Sequence, residues 1–440
     1  MASTYLTRTS TAGNRQKFTT SFWFKLAKAD STRMSFFSAT ETTDGNELSY
    51  MRVDDKIWIR EAHSNSSDIH VETNRFFRDT NAWYHVVFTV DTTQATSSDR
   101  VKIYVNGVQE TSLANATYPS QNYNTRWNES GQVMQIGRNV SAYPYYFDGS
   151  ISHFHHCDGY AYDASAFGST DSTTGEWKIN TSPSVSYGNN GFFILKDGNS
   201  VTDSSPNTNN FTVAGGTLTK TEDCPSNVFA TWNPLDNYYA ASTFSDGNTS
   251  LTSGGSGIET YNTSTLGMSS GKYYMELKHN GGSASPFRQL VGITQNPTDA
   301  AGQYLGGDNN DSWGYYDYNG GVAHNASTVV TYSTWTQNDI IGVAVDLDNS
   351  KLFFAKNGTW QNSSDPANGT NGISIDSGVT YYFAWGDLTT HSNYCQANFG
   401  NGYFGTTAVS SAGTNASNNG IFEYDVPTGY TALSTKGLNL

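Results

Sequence analysis

Charge is scarce in this chain. Only 14% of its 440 residues are Asp, Glu, Lys or Arg, well below the usual share in a soluble domain. The charge present is mostly of one sign, since 39 acidic residues against 24 basic ones leave a formal net charge of −15. Such a field repels phosphate backbones and anionic lipid, so nucleic-acid binding is not expected. Cysteine is equally sparse. Cys157, Cys224 and Cys395 are too few and too scattered for a disulfide framework, and they match no zinc-ligand spacing. No apolar run is long enough to span a bilayer, so membrane insertion is not expected. The opening residues lack the basic and apolar regions of a secretory signal. Without that signal, triplets such as those at Asn115, Asn139 and Asn357 read as composition, not as glycosylation sites. A sustained helical period is missing as well.

Aromatic residues make up 14% of the chain and glycine contributes 42 residues. Aromatic and β-branched side chains suit pleated surfaces, while Gly, Asn and Asp suit tight turns. The expectation is an all-β protein of more than one domain. Period-two segments support it. "FTTSFWFKL" (18–26), "AWYHVVFTV" (82–90), "VKIYVNGVQE" (101–110) and "YYFDGSISHFHHC" (145–157) read as strands. Asn106-Gly107 is a hairpin turn, and "DASAFG" (163–168) fits one short helical turn. A Ser-, Asn- and Pro-rich stretch, 181–237, reads as an ordered connector packed through its apolar islands. A second β-rich block follows, with "GKYYMELKH" (271–279), "FRQLVGIT" (287–294), "DIIGVAVDLDNSKLFFAKNGTW" (339–360) and "VTYYFAWGD" (379–387). In the third of these, Asp348-Asn349-Ser350 and Asn357-Gly358 are turns.

The segments "FTTSFWFKL", "WYHVVFTVD", "VKIYVNG", "MQIGRNV" and "FDGSISHF" resemble the laminin-G-like and pentraxin-like domains of the concanavalin A-like superfamily. The segments "GKYYMEL", "LVGIT", "DIIGVAVDLDNSKLFFAKNG" and "CQANFG" resemble the SPRY domain. The resemblance implies two concanavalin A-like jelly-roll β-sandwiches joined by an ordered connector. The implied map is a laminin-G-like sandwich over 1–180, a connector over 181–237, a SPRY-like sandwich over 238–405 and a C-terminal segment over 406–440. The order of modules, closing on "VPTGYTALST", is similar to that of tail-fibre-like and other virion proteins of marine tailed bacteriophages.

Several constellations could carry chemistry. His153, His155 and Cys157 lie two apart and would share one face of a strand, with His156 opposite. A His-x-His pair can ligate zinc, but no further ligand set is spaced to complete the site, so zinc is disfavoured. The acidic run Glu41, Asp44 and Glu47 is spaced three and three. A glucanase needs its carboxylates on one strand face, so a carbohydrate-active enzyme is the least favoured reading. "GNGYFG" (400–405) matches a dinucleotide fingerprint but is followed by loop, not by the helix that motif requires.

Laminin-G and pentraxin relatives often hold calcium in loops, so Asp44, Asn46, Asp148, Asp308 and Asp311 are calcium candidates. Each is equally explained as a residue stabilising its own turn. No other cofactor is expected. Tyr143, Tyr145 and Tyr146 in one loop, and Trp313, Tyr316 and Tyr318 in another, sit among small polar residues as ligand-binding aromatics do.

The expected function is that of a non-enzymatic virion surface protein, a tail fibre or related appendage. It would bind host-surface glycan or protein through sandwich loops. The alternative is a capsid decoration or fibre subunit whose contacts are with other virion proteins. Assembly would occur in the host cytoplasm. The resemblance implies a homo-oligomer, although no heptad period accompanies it.

Overall fold

The computed structural model describes residues 3–439 except 30, 42–47, 65, 140–143, 197–199, 237–241, 255–259, 284, 298–303, 308–309 and 389–391. The chain is all-β and divides into two units, Met1–Lys220 and Thr221–Leu440. Among the described residues no helix is long and apolar enough to cross a membrane.

Unit 1 is a sandwich. Its eight-stranded sheet runs, edge to edge, through Leu113–Thr117, Ser66–Thr73, Ile57–His63, Leu48–Val53, Met34–Glu41, Val133–Ile136, Tyr5–Thr9 and Thr212–Gly215. Its six-stranded sheet runs through Phe192–Ile194, Gly149–Asp158, Lys17–Leu26, Tyr84–Asp91, Val101–Val105 and Val108–Gln109. The turn between the last two strands is Asn106-Gly107, with φ of 46° and 83°. Both are left-handed values, as a two-residue hairpin requires. Phe18, Phe22 and Phe24 alternate along Lys17–Leu26 and enter the core between the sheets. There the Phe22 ring lies 4.7 Å from Phe154 and 4.9 Å from Phe36.

The other face of the six-stranded sheet is covered as well. Residues 159–191 fold back over it. They include the one-turn helix Ala164–Ala166, whose Ser165 N–H donates to Asp163 Oδ1, and the hairpin Gly168–Thr170/Trp177–Ile179. Phe167, Tyr187 and Phe193 pack there against Val87 and Cys157. Outward-facing threonines bond the backbone of the cover. Thr19 Oγ1 donates to Tyr160 O at 2.9 Å and accepts from Tyr162 N–H at 2.7 Å.

Unit 2 is a second sandwich. Its larger sheet has the path Thr243–Ser245, Ser250–Thr252, Asn393–Asn398, Lys272–Gly282, Ile340–Asp346, Lys351–Lys356 and Thr359–Trp360. Ile373–Ser374 lies beside Lys351–Lys356, and Thr431–Ala432 runs parallel to Lys272–Gly282. The facing sheet runs through Thr260–Thr263, Tyr382–Asp387, Gln289–Thr294, Ser312–Tyr316, Gly321–His324 and Ser327–Thr331. Trp232, Val291, Tyr315, Val343, Phe354 and Trp385 are among the residues that fill the space between.

Residues 181–237 divide between the units. Phe192–Ile194 and Thr212–Gly215 are edge strands of unit 1, whereas Phe229 and Trp232 lie in cores of unit 2. Asp203 holds the unit 1 portion by accepting from the N–H groups of Phe193, Ser205 and Asn209 at 2.7–2.8 Å.

The C-terminal segment covers the outer face of the larger sheet in unit 2, where Phe422, Val426 and Tyr430 pack on Tyr274, Ala344 and Phe353. Buried Glu276 ties it down. Its carboxyl accepts from the N–H groups of Glu423 and Tyr424, both at 2.8 Å, from Tyr274 OH at 3.1 Å and from Asn398 Nδ2 at 3.3 Å. Removing that carboxyl strands several buried donors. Glu276→Ala is expected to destabilise unit 2 by about 2–4 kcal/mol. Urea unfolding measures the loss, and limited proteolysis should show cleavage within 406–440 before the rest of the unit.

Candidate functional site

The histidine strand is a packing element. Between Ser152 and His155 the register slips: Ser152 faces Trp23 and His155 faces Ser21. The extra residue belongs to a β-bulge at which His153 adopts φ 49°. The bulge shifts the phase of the strand before it, so Ser152 comes into phase with His155 and Cys157, while the His153 ring packs on Phe193 beside His155, 5.8 Å between centroids.

His156 points into the core of unit 1. Its Nε2–H donates to Asn128 Oδ1 at 3.0 Å, and Nδ1 accepts from the Thr20 hydroxyl at 2.9 Å. His155 lies on the covered face, stacked on Phe193 at 3.8 Å, with Nδ1 2.9 Å from Tyr187 OH. Sequence reasoning missed His85 on the neighbouring strand. Trp177 Nε1–H donates to its Nδ1 at 3.0 Å, so its Nε2–H donates to Ser21 Oγ at 2.8 Å. Burial pushes the Cys157 thiol up, away from the thiolate a metal would need. Among the described residues no group of three or more His, Cys, Asp or Glu side chains is placed to hold a metal ion.

Of the calcium candidates, Asp44, Asn46 and Asp308 lie outside the described residues. Asp148 belongs to unit 1 and Asp311 to unit 2. The backbone carbonyl of each is engaged within its own unit, by Ala27 N–H and Gln295 N–H respectively.

The aromatic candidates are arranged around arginine. Tyr143 lies outside the described residues. Tyr145 is half-buried over Arg52, whose guanidinium carbon is 4.8 Å from that ring, 3.8 Å from Tyr50 and 4.8 Å from Trp58. Tyr146 stands 5.5 Å from the Arg138 guanidinium, which also lies 4.7 Å from Tyr5. In unit 2 the strand Ser312–Tyr316 splits the expected patch. Trp313 turns into the sandwich and is 3% exposed, whereas Tyr316 is half-buried on the other face and Tyr318 is 58% exposed. Arg288 carries its guanidinium 5.5 Å from the Tyr318 ring, and its charge acts on the Tyr316 hydroxyl. An aromatic face beside a guanidinium combines a stacking platform with fixed hydrogen-bond donors. No arginine was singled out from the sequence, because Arg52, Arg138 and Arg288 are remote in the chain from the tyrosines they meet, apart from the Arg138–Tyr146 pair.

With this geometry in hand, the family matches divide as the units do. Residues 2–161 match the family model Laminin_G_3, described as the concanavalin A-like lectin/glucanases superfamily. Residues 272–367 match that of the SPRY domain. The chain carries a laminin-G-like domain and a SPRY domain. Similar solved structures include the SPRY domain of human HERC1, at 21% identity over 38% of this chain and 96% of that chain, with a TM-score of 0.32. Stonustoxin is similar at 19% identity over 40% of this chain but only 27% of that chain, with a TM-score of 0.29. The heptameric SAP-like pentraxin from Limulus polyphemus is similar at 18% identity over 37% of this chain and 72% of that chain, with a TM-score of 0.27. No curated protein matches.

The buried ionisable groups give the two units opposite responses to acid. In the laminin-G-like unit burial lowers His85 and His156 to about 3, His155 well below its usual range, and His70 to a lesser degree. They stay neutral when folded but take up protons when unfolded as the pH falls through about 6.5. Their stabilisation is complete above that pH and is lost below it. Glu61, raised to about 7 by burial, acts the other way, and burial raises Asp158 and Asp54 in the same direction. In the SPRY unit burial raises Glu276 to about 7, and Asp317 in the same direction. These carboxyls keep protons that the unfolded chain releases, so their contribution is full at low pH and is lost as the pH rises toward 7. Acidification from about pH 7 to 5.5 should therefore lower the unfolding temperature of the laminin-G-like unit and raise that of the SPRY unit. Calorimetry shows the shifts, and peptide-resolved hydrogen exchange assigns each transition. Parallel movement of both transitions would contradict the assignment.

Proposed function

We propose that this chain is a non-enzymatic binding protein of a bacteriophage virion, a tail fibre or related appendage that engages host-surface glycan or protein. The supporting observation is the pairing of surface-reaching tyrosines with arginine in both units, Tyr145 with Arg52, Tyr146 with Arg138 and Tyr318 with Arg288. Both domain types are folds of binding modules, commonly without catalysis, and the order of modules is similar to that of marine phage virion proteins. Other virion proteins are its assembly partners, and the virion, assembled in the host cytoplasm, is its location. Several copies on a particle would raise weak single-site affinity through effective concentration. No cofactor is required, and calcium would be an accessory.

The alternative, a purely structural virion subunit, draws support from the outermost strands. Leu113–Thr117 and Ser327–Thr331 end their sheets and are largely exposed. Unpaired edges of this kind can accept a strand from another chain.

Whole-cell binding by purified, fluorescently labelled protein to a panel of marine bacteria tests the adhesive reading. Tyr318→Ala and Arg288→Ala are each expected to weaken binding by roughly tenfold, since each removes one stacking or charged contact, with the unfolding temperature unchanged. Absence of binding by the wild-type chain to every envelope tested would favour the structural alternative. Labelling the chain on intact particles for electron microscopy would then locate it.

A further inference from the structure

The SPRY unit has a cleft that the loop tyrosines do not reach. It is an open groove where the edge strand Ser327–Thr331 of one sheet faces Ile373–Ser374 of the other, with a volume of about 360 Å³. That volume is within the range of small-ligand pockets. One wall is aromatic. Trp313 and His324 stack in parallel, 4.1 Å apart and 7° from coplanar. Trp313 is nearly fully buried, so the half-buried imidazole is the accessible layer of that stack. Tyr332, also half-buried, continues the wall.

The opposite wall is polar and uncharged. Asn362 and Asn371 sit in left-handed backbone conformations, with φ of 57° and 55°. Asn371 Nδ2 donates to the carbonyls of Asn362 and Ser363, both at 3.3 Å. Its Oδ1 is thus oriented as an acceptor. Ser374 Oγ accepts from Lys351 Nζ at 3.0 Å and keeps its own proton to donate. His324 Nδ1 faces the carbonyl of Ser312 at 3.0 Å and so carries the proton, which leaves Nε2 as an acceptor. Gly372 allows the wall to close, because a Cβ there would stand 2.5 Å from the Phe353 ring.

We infer that this cleft binds a neutral saccharide ring. A pyranose presents an apolar C–H face for Tyr332 and the imidazole, and hydroxyls that both donate and accept. The cleft supplies acceptors at His324 Nε2 and Asn371 Oδ1, and a donor at Ser374. No Asp, Glu, Lys or Arg lines it, and the Lys351 ammonium behind Ser374 is engaged by that hydroxyl. This inference deepens the binding function proposed above, at a site separate from Tyr318 and Arg288.

The test uses the full chain labelled with 5-fluorotryptophan. The Trp313 resonance is assigned by its loss in Trp313→Phe. The probes are the methyl glycosides of glucose, galactose, mannose and N-acetylglucosamine. At least one is expected to shift the Trp313 resonance saturably. His324→Ala and Asn371→Gly, the latter keeping the left-handed backbone, should each weaken that sugar by roughly tenfold. Tyr318→Ala should leave it unchanged. Asn371 is exposed, so its variant keeps the question open if His324→Ala unfolds. The inference is overturned if no glycoside moves the resonance, if binding survives Asn371→Gly at full strength, or if only extended peptides move it. A silent cleft together with cell binding that depends on Tyr318 would overturn this inference alone and leave the adhesive function standing. Sugar binding at the cleft without any cell binding would do the reverse.

Discussion

The central strands of both sandwiches are buried on both faces, and most of the unusual chemistry in this protein follows from that constraint. An antiparallel sheet ordinarily turns one face to water. Here nine of the ten residues of Lys17–Leu26 are buried, as are all seven of Ile340–Asp346. The residues on the second face kept the polar character of an outward strand, yet they are cut off from solvent. Each must find its partners inside the protein or cost the desolvation of an unpaired group. Thr19 meets backbone of the cover, His85 meets Ser21 and Trp177, and Glu276 meets two N–H groups of the C-terminal segment. These contacts also hold the covering layers in place, so the polar groups specify which segment lies on which face. An apolar second face would gain burial but would not discriminate in this way between one covering segment and another.

The same constraint explains how a strand rich in histidine can resemble a metal site. Imidazole fits a covered face because it is flat, can be neutral, and offers one donor and one acceptor. His156 uses both nitrogens, and His85 uses both. A ring so occupied has no lone pair left for a metal. The buried histidines, His85 on the covered face and His156 in the core, are held neutral by burial, which makes them stabilising near neutrality and a liability in acid.

The strands and turns were legible in the sequence because they rest on local patterns. Phe18, Phe22 and Phe24 mark one face, and Asn106-Gly107 supplies the left-handed dihedrals of its hairpin. Period two tells which residues share a face, but it does not tell whether the polar face is wet. That depends on residues 159–191 and on the C-terminal segment, which return from elsewhere in the chain. The bulge at His153 was hidden for another reason, since a single inserted residue leaves no pattern of its own and reverses the phase of what precedes it. The aromatic loop of the second unit was half legible. The alternation between Trp313 and Tyr316 was visible, but the partners that give each ring its role, His324 for one and Arg288 for the other, were not.

Closed faces also restrict where a ligand can be met. With both faces of the central strands in use, recognition is left to the rims, where loops turn, and to the edges, where the two sheets part. At the rims an isolated tyrosine would be a mobile and partly hydrated contact. Arginine beneath or beside it limits the ring's orientation and adds donors at the same point, so less freedom remains to be lost on binding. At the edges the spacing of the two sheets sets the width of a cleft before any ligand arrives, and in the SPRY unit the flat His324–Trp313 stack leaves that width unfilled. Preorganisation of this kind comes from the sandwich itself, and it is why two sandwiches with covered faces can still offer more than one place to bind.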